Sequence, residues 1–246
     1  MADWPLSQGE IAERLRDQDL DEWLQLWWAT QGPSKRACLE LMAAALPFDP
    51  DESPLVLDMC CGPGDVGRAI RSRFPKARVD CVDRDLFLLS LCMAFNRHEG
   101  IPGDTYIRDM WKADWHVGLA GNYDVVTTAY ALHWFDVRRL SELFADVAQL
   151  LRRGGVFLFL EPARTEAALA SLAPDEERTW ERFWTRANEL LGYDHSKMLG
   201  SREPTLIGDR GLPDQEWSRL LKNAGFESVD VLLKDKEKVV LAARKA

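Results

Sequence analysis

Short apolar segments alternate with amphipathic segments through the central part of this sequence. The apolar segments predict strands at Leu55–Cys60, Arg78–Val82, Thr105–Arg108, Tyr123–Thr128 and Val156–Glu161, and the amphipathic ones predict helices at Val66–Phe74, Leu86–Arg97 and Leu140–Leu151. Strands separated by helices form a mostly parallel sheet that carries helices on both faces. The pattern therefore predicts an α/β fold, a three-layer α/β/α sandwich.

The last part of the chain predicts a helix followed by two strands. The helix covers Asp214–Ala224, and the strands cover Ser228–Leu233 and Val239–Ala243. A charged turn, Lys234–Lys238, separates the two strands, as it does in an antiparallel hairpin. With the strands before them, they predict a seven-stranded, mostly parallel sheet with an antiparallel C-terminal hairpin.

Helical sequence also lies outside this alternation, in two places. Residues 1–50 show apolar spacings of three and four residues in Ile11–Arg16 and Leu20–Trp28, and predict a helical N-terminal lid. At about 163–213 two helical stretches, Glu166–Leu172 and Glu176–Leu191, and a polar loop interrupt the rhythm. We interpret these residues as an insertion that caps the substrate pocket of a core formed by residues 51–246.

The charge of the chain argues against a nucleic-acid partner. The sequence has 31 basic and 40 acidic residues, a formal net charge of −9, and no long run of lysine and arginine. Proteins that grip a phosphate backbone usually present a basic patch. The balance favours a small-molecule or protein substrate. The sequence leaves open whether the chain forms a homodimer.

The N-terminus and the cysteines bear on where the protein works. Met1–Pro5 is not a basic region followed by an apolar run, and the most apolar run, Val156–Leu160, has the length of a strand, so neither secretion nor a membrane span is expected. The five cysteines are odd in number, and Cys60 and Cys61 are adjacent. This argues against a disulfide framework and for a reducing cytoplasm. No cysteine–histidine pair has the spacing of a zinc site, so no metal is expected.

The strongest functional signal is a glycine turn after the first predicted strand. Gly62-Pro63-Gly64 leads into a helix, and its glycines let the backbone approach a ligand closely. Asp58 lies inside the apolar strand, where a carboxylate is costly without a cationic or hydrogen-bonding partner. Asp83 ends the second strand, where an acid is placed to accept hydrogen bonds from both ribose hydroxyls of an adenosine. These residues predict an adenosine-containing ligand at the carboxyl ends of the strands.

A dinucleotide dehydrogenase has a similar turn. Gly62, Gly64 and Gly67 formally match its G-x-G-x-x-G spacing. Asp58 weighs against this interpretation, because a turn that binds pyrophosphate gains nothing from a negative charge beside it. An NAD-dependent oxidoreductase is therefore the less favoured alternative.

The ordered set of motifs resembles that of class I S-adenosylmethionine-dependent methyltransferases of the small-molecule type. The matching segments are Val56–Gly64, Val82-Asp83, Arg108–Met110, Tyr123–Trp134, Leu150–Gly155 and Leu220–Phe226. Cys60 departs from the family pattern, because it stands where the turn usually has its first glycine. The resemblance implies S-adenosyl-L-methionine as cofactor and S-adenosyl-L-homocysteine as product. The cofactor site that it implies consists of Asp58, Cys60, Gly62, Pro63, Gly64, Asp83, Arg84, Asp109, Met110, Thr128 and Ala129.

The resemblance also implies the reaction. A methyl group would pass to an oxygen, nitrogen or carbon nucleophile of a small molecule, such as a secondary metabolite, by in-line displacement. The protein would mainly align the nucleophile and exclude water. Two other uses of the fold stay open: chemistry on the sulfonium other than methyl transfer, and a module that binds the cofactor without turnover.

Two histidines are candidates for a general base, which helps when the acceptor is a hydroxyl or a carbon acid. His133 follows the fourth strand, and His195 lies in the insertion. Aromatic side chains of the lid, of the loop after the fourth strand and of the insertion predict a pocket for a flat or apolar acceptor. These aromatic residues are Trp27, Trp28, Tyr130, Trp184 and Tyr193. Arg36 is a candidate lid residue for the methionine carboxylate of the cofactor.

Overall fold

One sheet organises the protein. The computed structural model describes residues 4–31, 34–163, 174–198 and 211–246. Its strands are β1 (Leu55–Met59), β2 (Arg78–Asp83), β3 (Thr105–Ile107), β4 (Tyr123–Ala129), β5 (Leu151–Pro162), β6 (Phe226–Lys234) and β7 (Lys238–Lys245). They lie in the order β3-β2-β1-β4-β5-β7-β6. Strands β1 to β5 pair in parallel, and β7 runs antiparallel to both of its neighbours, β5 and β6.

Helices cover both faces of this sheet. The helices of the described residues are α1 (Gln8–Leu15), α2 (Leu20–Gln31), α3 (Ser34–Ala44), α4 (Asp65–Arg73), α5 (Leu86–Glu99), α6 (Val137–Leu150), α7 (Pro174–Leu191) and α8 (Asp214–Asn223). Side chains of α6 and α8, such as Phe144 and Trp217, pack on one face against Phe157 and Phe159 of β5. The other face is covered by α3, α4 and α5. The predicted three-layer sandwich is therefore confirmed.

A third apolar cluster lies away from the sheet. It joins α1, α2 and α7 to one side of α5, and Trp23 and Phe183 are fully buried within it. The rings of Trp23 and Phe87 meet edge to face at 5.5 Å, and those of Trp23 and Phe183 at 5.9 Å. The N-terminal helices and the helix after β5 thus share one core, which is separate from the two cores of the sheet.

The position of β1 selects the region where a ligand would bind. β1 lies between β2 and β4, so the chain crosses from one half of the sheet to the other beside its carboxyl end. In open parallel sheets the crevice at such a switch point is the usual place for a ligand. The residues that follow β1, β2, β4 and β5 are therefore candidates for a ligand site.

The predicted elements agree with the structure apart from their ends and one helix. β6 begins at Phe226, two residues before its predicted start, and β3 has three residues rather than four. The predicted helix Glu176–Leu191 is confirmed as α7, and the predicted helix Glu166–Leu172 lies outside the described residues. The division into a lid, a core and an insertion stays a prediction.

No helix among the described residues is both long and apolar enough to cross a lipid bilayer.

A glycine before β3 gives a stability test of this fold. Gly103 has φ +154°, and a Cβ atom there would lie 1.7 Å from the carbonyl oxygen of Val79 in β2. We expect Gly103→Ala to lower the free energy of unfolding by about 3 kcal/mol, because the backbone of β2 has to move. Gly100→Ala is the matched control: φ is +66° there and no atom lies within 4 Å, so only about 1–2 kcal/mol should be lost. Urea unfolding measures both, and equal losses would contradict the clash.

Candidate active site

The loop after β1 has an unusual backbone. Cys60, Gly62 and Gly64 have φ of +51°, +53° and +87°, and the N–H of Gly64 donates to the carbonyl of Cys61 at 2.9 Å. A positive φ is strained for a residue with a Cβ atom. This conformation explains why the family pattern has glycine at the position of Cys60. The turn then passes directly into α4, whose first residue is Asp65.

Two buried carboxyl groups on neighbouring strands hold this loop and the first turn of α4. Asp58 of β1 accepts a hydrogen bond from the N–H of Gly67 at 2.9 Å. Asp83 of β2 accepts from the N–H of Gly62 at 2.8 Å and from that of Asp85 at 2.8 Å. The partner expected for Asp58 is thus a backbone amide and not a cation. Its other oxygen, Oδ1, is buried without a hydrogen-bond partner among the described residues.

Burial changes the acidity of both groups. Desolvation raises the pKa of Asp58 well above its usual range. Desolvation and, next, the charge of Asp85 raise the pKa of Asp83 to about 6. Asp85 itself is the N-cap of α5 and accepts from the N–H groups of Phe87 and Leu88. The ends of β1 and β2 therefore present carboxyl groups whose charge is costly to keep without further donors.

The segment after β3 is anchored by a hydrogen bond from α6. Met110 is buried, and its carbonyl accepts a hydrogen bond from Nε of Arg139 at 2.7 Å. Asp109 Oδ1 accepts from the N–H of Trp111 at 3.1 Å. Arg84, which follows Asp83, is half-buried. Arg84 follows β2, and Asp109 and Met110 follow β3. Both strands run parallel to β1, so these residues lie at the same edge of the sheet as the glycine loop.

A buried glutamate organises the residues after β4. Glu161, near the end of β5, is fully buried and accepts hydrogen bonds from the N–H groups of Ala131, Leu132 and His133 at 2.8, 2.7 and 3.2 Å. Its Oε2 also lies 2.8 Å from Nδ1 of His133. A carboxylate at Nδ1 holds the proton on that nitrogen and leaves Nε2 as the basic one. Glu161 therefore fixes His133 in one tautomer, with its proton on Nδ1.

Sequence reasoning did not single out Glu161. The sequence does contain a signal for this residue, because Glu161 closes the apolar run Val156–Leu160 just as Asp83 closes β2. An acid that closes a buried strand needs donors, and here they come from the loop after β4. Near them, Thr128 Oγ1 is buried and has no hydrogen-bond partner among the described residues, and Ala129 is half-buried.

Helices α2 and α3 are attached to the glycine loop through Asp65. Trp27 Nε1 donates to Asp65 Oδ2 at 2.6 Å, and Lys35 Nζ lies 3.0 Å from the same oxygen. A Cβ atom on Gly62 would lie 3.6 Å from the Trp27 ring, so the indole covers the turn. Asp65 Oδ1 is buried without a partner among the described residues. The N-terminal helices are thus in direct contact with the predicted cofactor loop.

The buried cation beside this loop is Lys35 and not Arg36. Lys35 Nζ lies 5.5, 6.0 and 5.7 Å from the ring centres of Trp27, Trp28 and Tyr130. Arg36 is exposed and stacks on Trp28 at 5.0 Å. The signal for Lys35 was its place on the apolar face of α3, where Cys38, Leu39 and Met42 are buried with it.

The second candidate base has a different environment. His195 is fully buried, and its Nε2 lies 2.9 and 3.0 Å from the two carboxylate oxygens of Asp85. Trp4 and Trp184 stack on its two sides at 5.1 and 5.2 Å. Tyr193 lies 6.2 Å away. His195 therefore joins the segment after α7 to the N-terminus of α5.

The predicted aromatic pocket consists of two groups in the structure. Trp27, Trp28 and Tyr130 surround Lys35, whereas Trp184 and Tyr193 lie beside His195. Trp180 links the two groups, because its ring lies 5.6 Å from Trp27 and is stacked on Trp184 at 6.5 Å. Trp180 and Trp184 share one side of α7, because residues four apart are neighbours on a helix surface.

Comparison with known proteins identifies the region around β1. Residues 56–155 match a family model described as a methyltransferase domain. These residues therefore form a methyltransferase domain. The matched residues run from β1 to the glycines of β5 and include the loops after β1, β2, β3 and β4. This family uses S-adenosylmethionine as methyl donor, so the predicted enzyme class and cofactor are confirmed.

Individual relatives are distant. The chain is 23% identical over 180 residues to demethylmenaquinone methyltransferase of Leptospira interrogans, which covers 71% of this chain and 68% of the relative. It is 29% identical over 115 residues to polyketide synthase-nonribosomal peptide synthetase pyiS of Pyricularia grisea, 47% of this chain but 2% of that much longer protein. Among solved structures, magnesium protoporphyrin IX methyltransferase from Synechocystis PCC 6803 with bound SAH superposes with a TM-score of 0.60. It is 14% identical, and the match covers 97% of this chain and 99% of that one, which shows a shared fold.

Proposed function

We propose that this enzyme methylates an oxygen, nitrogen or carbon nucleophile of a small, flat molecule, with His133 as general base. The observation that carries the proposal is the pair of His133 and Glu161 beside the end of β4. The carboxylate fixes the tautomer in which Nε2 can take a proton. One relative is named demethylmenaquinone methyltransferase, and this name supports a small-molecule acceptor.

Three buried oxygens support the proposed place of the cofactor. Asp58 Oδ1, Asp65 Oδ1 and Thr128 Oγ1 have no hydrogen-bond partner among the described residues. Buried polar atoms are nearly always paired in folded proteins, so these atoms call for donors or acceptors from a ligand. They belong to β1, the start of α4 and β4, the elements that meet beside the glycine loop.

Each part of the cofactor then has a proposed partner. Asp83 would accept hydrogen bonds from the ribose, and Asp109 and Met110 would flank the adenine. Lys35 and Asp65 carry opposite charges at the glycine loop, as the carboxylate and ammonium of a methionine group require. The proposed site keeps Cys60, Gly62, Pro63 and Gly64 as the turn, with Arg84 and Ala129 at its sides. When bound, the cofactor supplies a methyl carbon already activated by a sulfonium.

The chain's own residues perform the remaining steps. Glu161 orients the His133 ring, and His133 Nε2 accepts the proton of the acceptor as its nucleophilic atom attacks. Trp27, Trp28 and Tyr130 exclude water from the methionine end of the site. We retain His133 rather than His195 as the base, because His133 follows β4, the neighbour of β1, whereas His195 is fully buried between the stacked rings of Trp4 and Trp184.

We also propose the roles of the outer elements. Residues 1–50 act as a lid, because Trp27 and Lys35 both bind Asp65, the residue directly after the glycine loop. The insertion at about 163–213 caps the acceptor through Trp184 and Tyr193. All five cysteines are free, which supports a cytoplasmic location. A homodimer and the absence of nucleic-acid partners stay predictions.

The role of Asp83 predicts a pH dependence of cofactor binding. Its pKa is about 6, and the ionised carboxylate accepts hydroxyl hydrogen bonds better than the protonated acid. The affinity for S-adenosylhomocysteine should therefore be constant above neutral pH and fall by up to about tenfold per pH unit below about 6. Isothermal titration between pH 5 and pH 8 measures this.

Substitution of the same residue provides the control. Asp83→Ala should weaken binding by about 1–3 kcal/mol and flatten the acidic fall. Asp230→Ala, at an exposed position of β6, should leave both the affinity and its pH dependence unchanged. An unchanged affinity in Asp83→Ala would remove Asp83 from the ribose role.

Turnover tests the proposal as a whole. The purified chain is incubated with methyl-labelled S-adenosylmethionine and a panel of phenols, flat amines and carbon acids. We expect label in a small-molecule product and release of S-adenosylhomocysteine. Binding of S-adenosylhomocysteine without transfer to any panel member or cell extract would instead support a cofactor-binding module.

A further inference from the structure

Three cysteines from separate elements meet beneath the glycine loop. Cys61 belongs to the loop, Cys81 to β2 and Cys92 to α5. Their sulfur atoms all lie within 4.8 Å of one another. All three side chains are buried, and the most exposed of them, Cys61, has 6% of its surface accessible. Sequence spacing gave no indication of this cluster, because the sheet and α5 bring its members together.

The cluster offers sulfur ligands alone. It contains no histidine or carboxylate among the described residues that could hold a metal ion. Asn96, one turn after Cys92, directs Nδ2 at Cys92 Sγ at 3.6 Å and at Cys81 Sγ at 3.8 Å. An amide N–H group donates hydrogen bonds and so stabilises thiolates, but it does not coordinate a cation. The set is therefore three soft ligands with a polar donor beside them.

We propose that Cys61, Cys81 and Cys92 form a binding site for a monovalent soft metal ion, Cu(I). Thiolates select soft ions such as Cu(I) over hard ones, and three sulfur ligands complete a trigonal site. Zn(II) almost always takes four ligands in a structural site, and this cluster provides three. On binding, each coordinating thiol gives its proton to solvent, and copper stays in the Cu(I) state throughout.

The packing around the cluster supports a preformed site. A Cβ atom on Gly64 would lie 2.7 Å from Cys92 Sγ, so the glycine loop rests directly on the thiols. Cys61 Sγ lies 3.3 Å from the carbonyl of Gly62. The three ligands are thus held by a loop, a strand and a helix that the fold fixes independently. Binding of the ion does not depend on the methyl-transfer reaction, so the site can be tested apart from the proposed function.

Anaerobic titration of the reduced, full chain with Cu(I), in competition with a chromogenic Cu(I) chelator, tests the site. We expect one Cu(I) per chain and a copper X-ray absorption spectrum with three sulfur ligands. Cys81→Ala and Cys92→Ala should each weaken binding by more than about 100-fold, because each removes a direct ligand. Cys38→Ala, at an equally buried cysteine outside the cluster, should bind as tightly as the unmodified chain.

The unmodified chain keeps the test decisive even if a variant fails to fold. Competition that removes no Cu(I) from the chelator would overturn the site, and so would a spectrum with fewer than three sulfur ligands. Equal weakening by Cys38→Ala would place the ion elsewhere and would also overturn it. One Zn(II) bound in preference to Cu(I) would contradict the trigonal assignment.

Discussion

His133→Ala is expected to lower kcat by about 10²–10⁴-fold, the usual contribution of a positioned general base. Cofactor binding should not change, because the side chain acts on the acceptor and not on the methyl donor. The loss should appear in full in kcat/KM, and equally in kcat when the chemical step limits turnover, because the interaction exists mainly in the transition state. Steady-state kinetics with an acceptor from the labelled panel and titration with S-adenosylhomocysteine measure the two quantities.

The control for this substitution is His98→Ala, at an exposed position near the end of α5. It should retain full activity. The pH–rate profile at saturating cofactor adds a readout that a merely structural residue would not move: the acidic fall in rate should disappear in His133→Ala, whereas the acidic fall in cofactor affinity set by Asp83 should remain. Full activity in His133→Ala would leave the enzyme without its proposed base and would favour an acceptor that needs none.

The second large effect concerns Glu161. Glu161→Leu should lower the free energy of unfolding by about 3–5 kcal/mol, because it leaves three backbone N–H groups and a buried imidazole without their acceptor. Urea unfolding followed by circular dichroism measures the loss. Glu227→Leu, at an exposed position of β6, is the control and should change stability by less than about 0.5 kcal/mol.

Glu161→Gln separates orientation from stability. The amide keeps the shape and one acceptor oxygen, so most of the stability should remain. Its NH₂ group can donate to Nδ1 of His133 and favour the wrong tautomer, and such an exchange can cost up to about 10⁴-fold in kcat. A folded Glu161→Gln protein with full activity would show that Glu161 supports the loop after β4 but does not position the base.

The strands were predictable because burial on both faces leaves a plain signal in the sequence. In a chain where apolar runs alternate with helices, a run such as Val156–Leu160 predicts a buried strand. Asp58 and Asp83 were found by the same logic, since an acid that ends such a run needs a reason to be there. Glu161 carries the same signal. Its donors, the backbone amides after β4, are visible only in the structure.

Contacts between distant segments were not predictable from local pattern. His195 meets Asp85 because α7 packs against α5, and no periodicity records that pairing. The three clustered cysteines belong to a loop, a strand and a helix, so their spacing in the sequence resembles no metal motif. Lys35 lies between these cases, because its place on the apolar face of α3 was visible but its partner Asp65 was not.

The attachment of α2 and α3 to Asp65 has a consequence for the speed of turnover. If product leaves past Trp27 and Lys35, each cycle has to break both contacts with Asp65 and form them again. Release would then set an upper limit on kcat, as lid opening does in many enzymes. Acceptors of very different reactivity would reach the same maximal rate, and that rate would fall in viscous solution. A single-turnover measurement would then record a larger loss for His133→Ala than steady-state kinetics does.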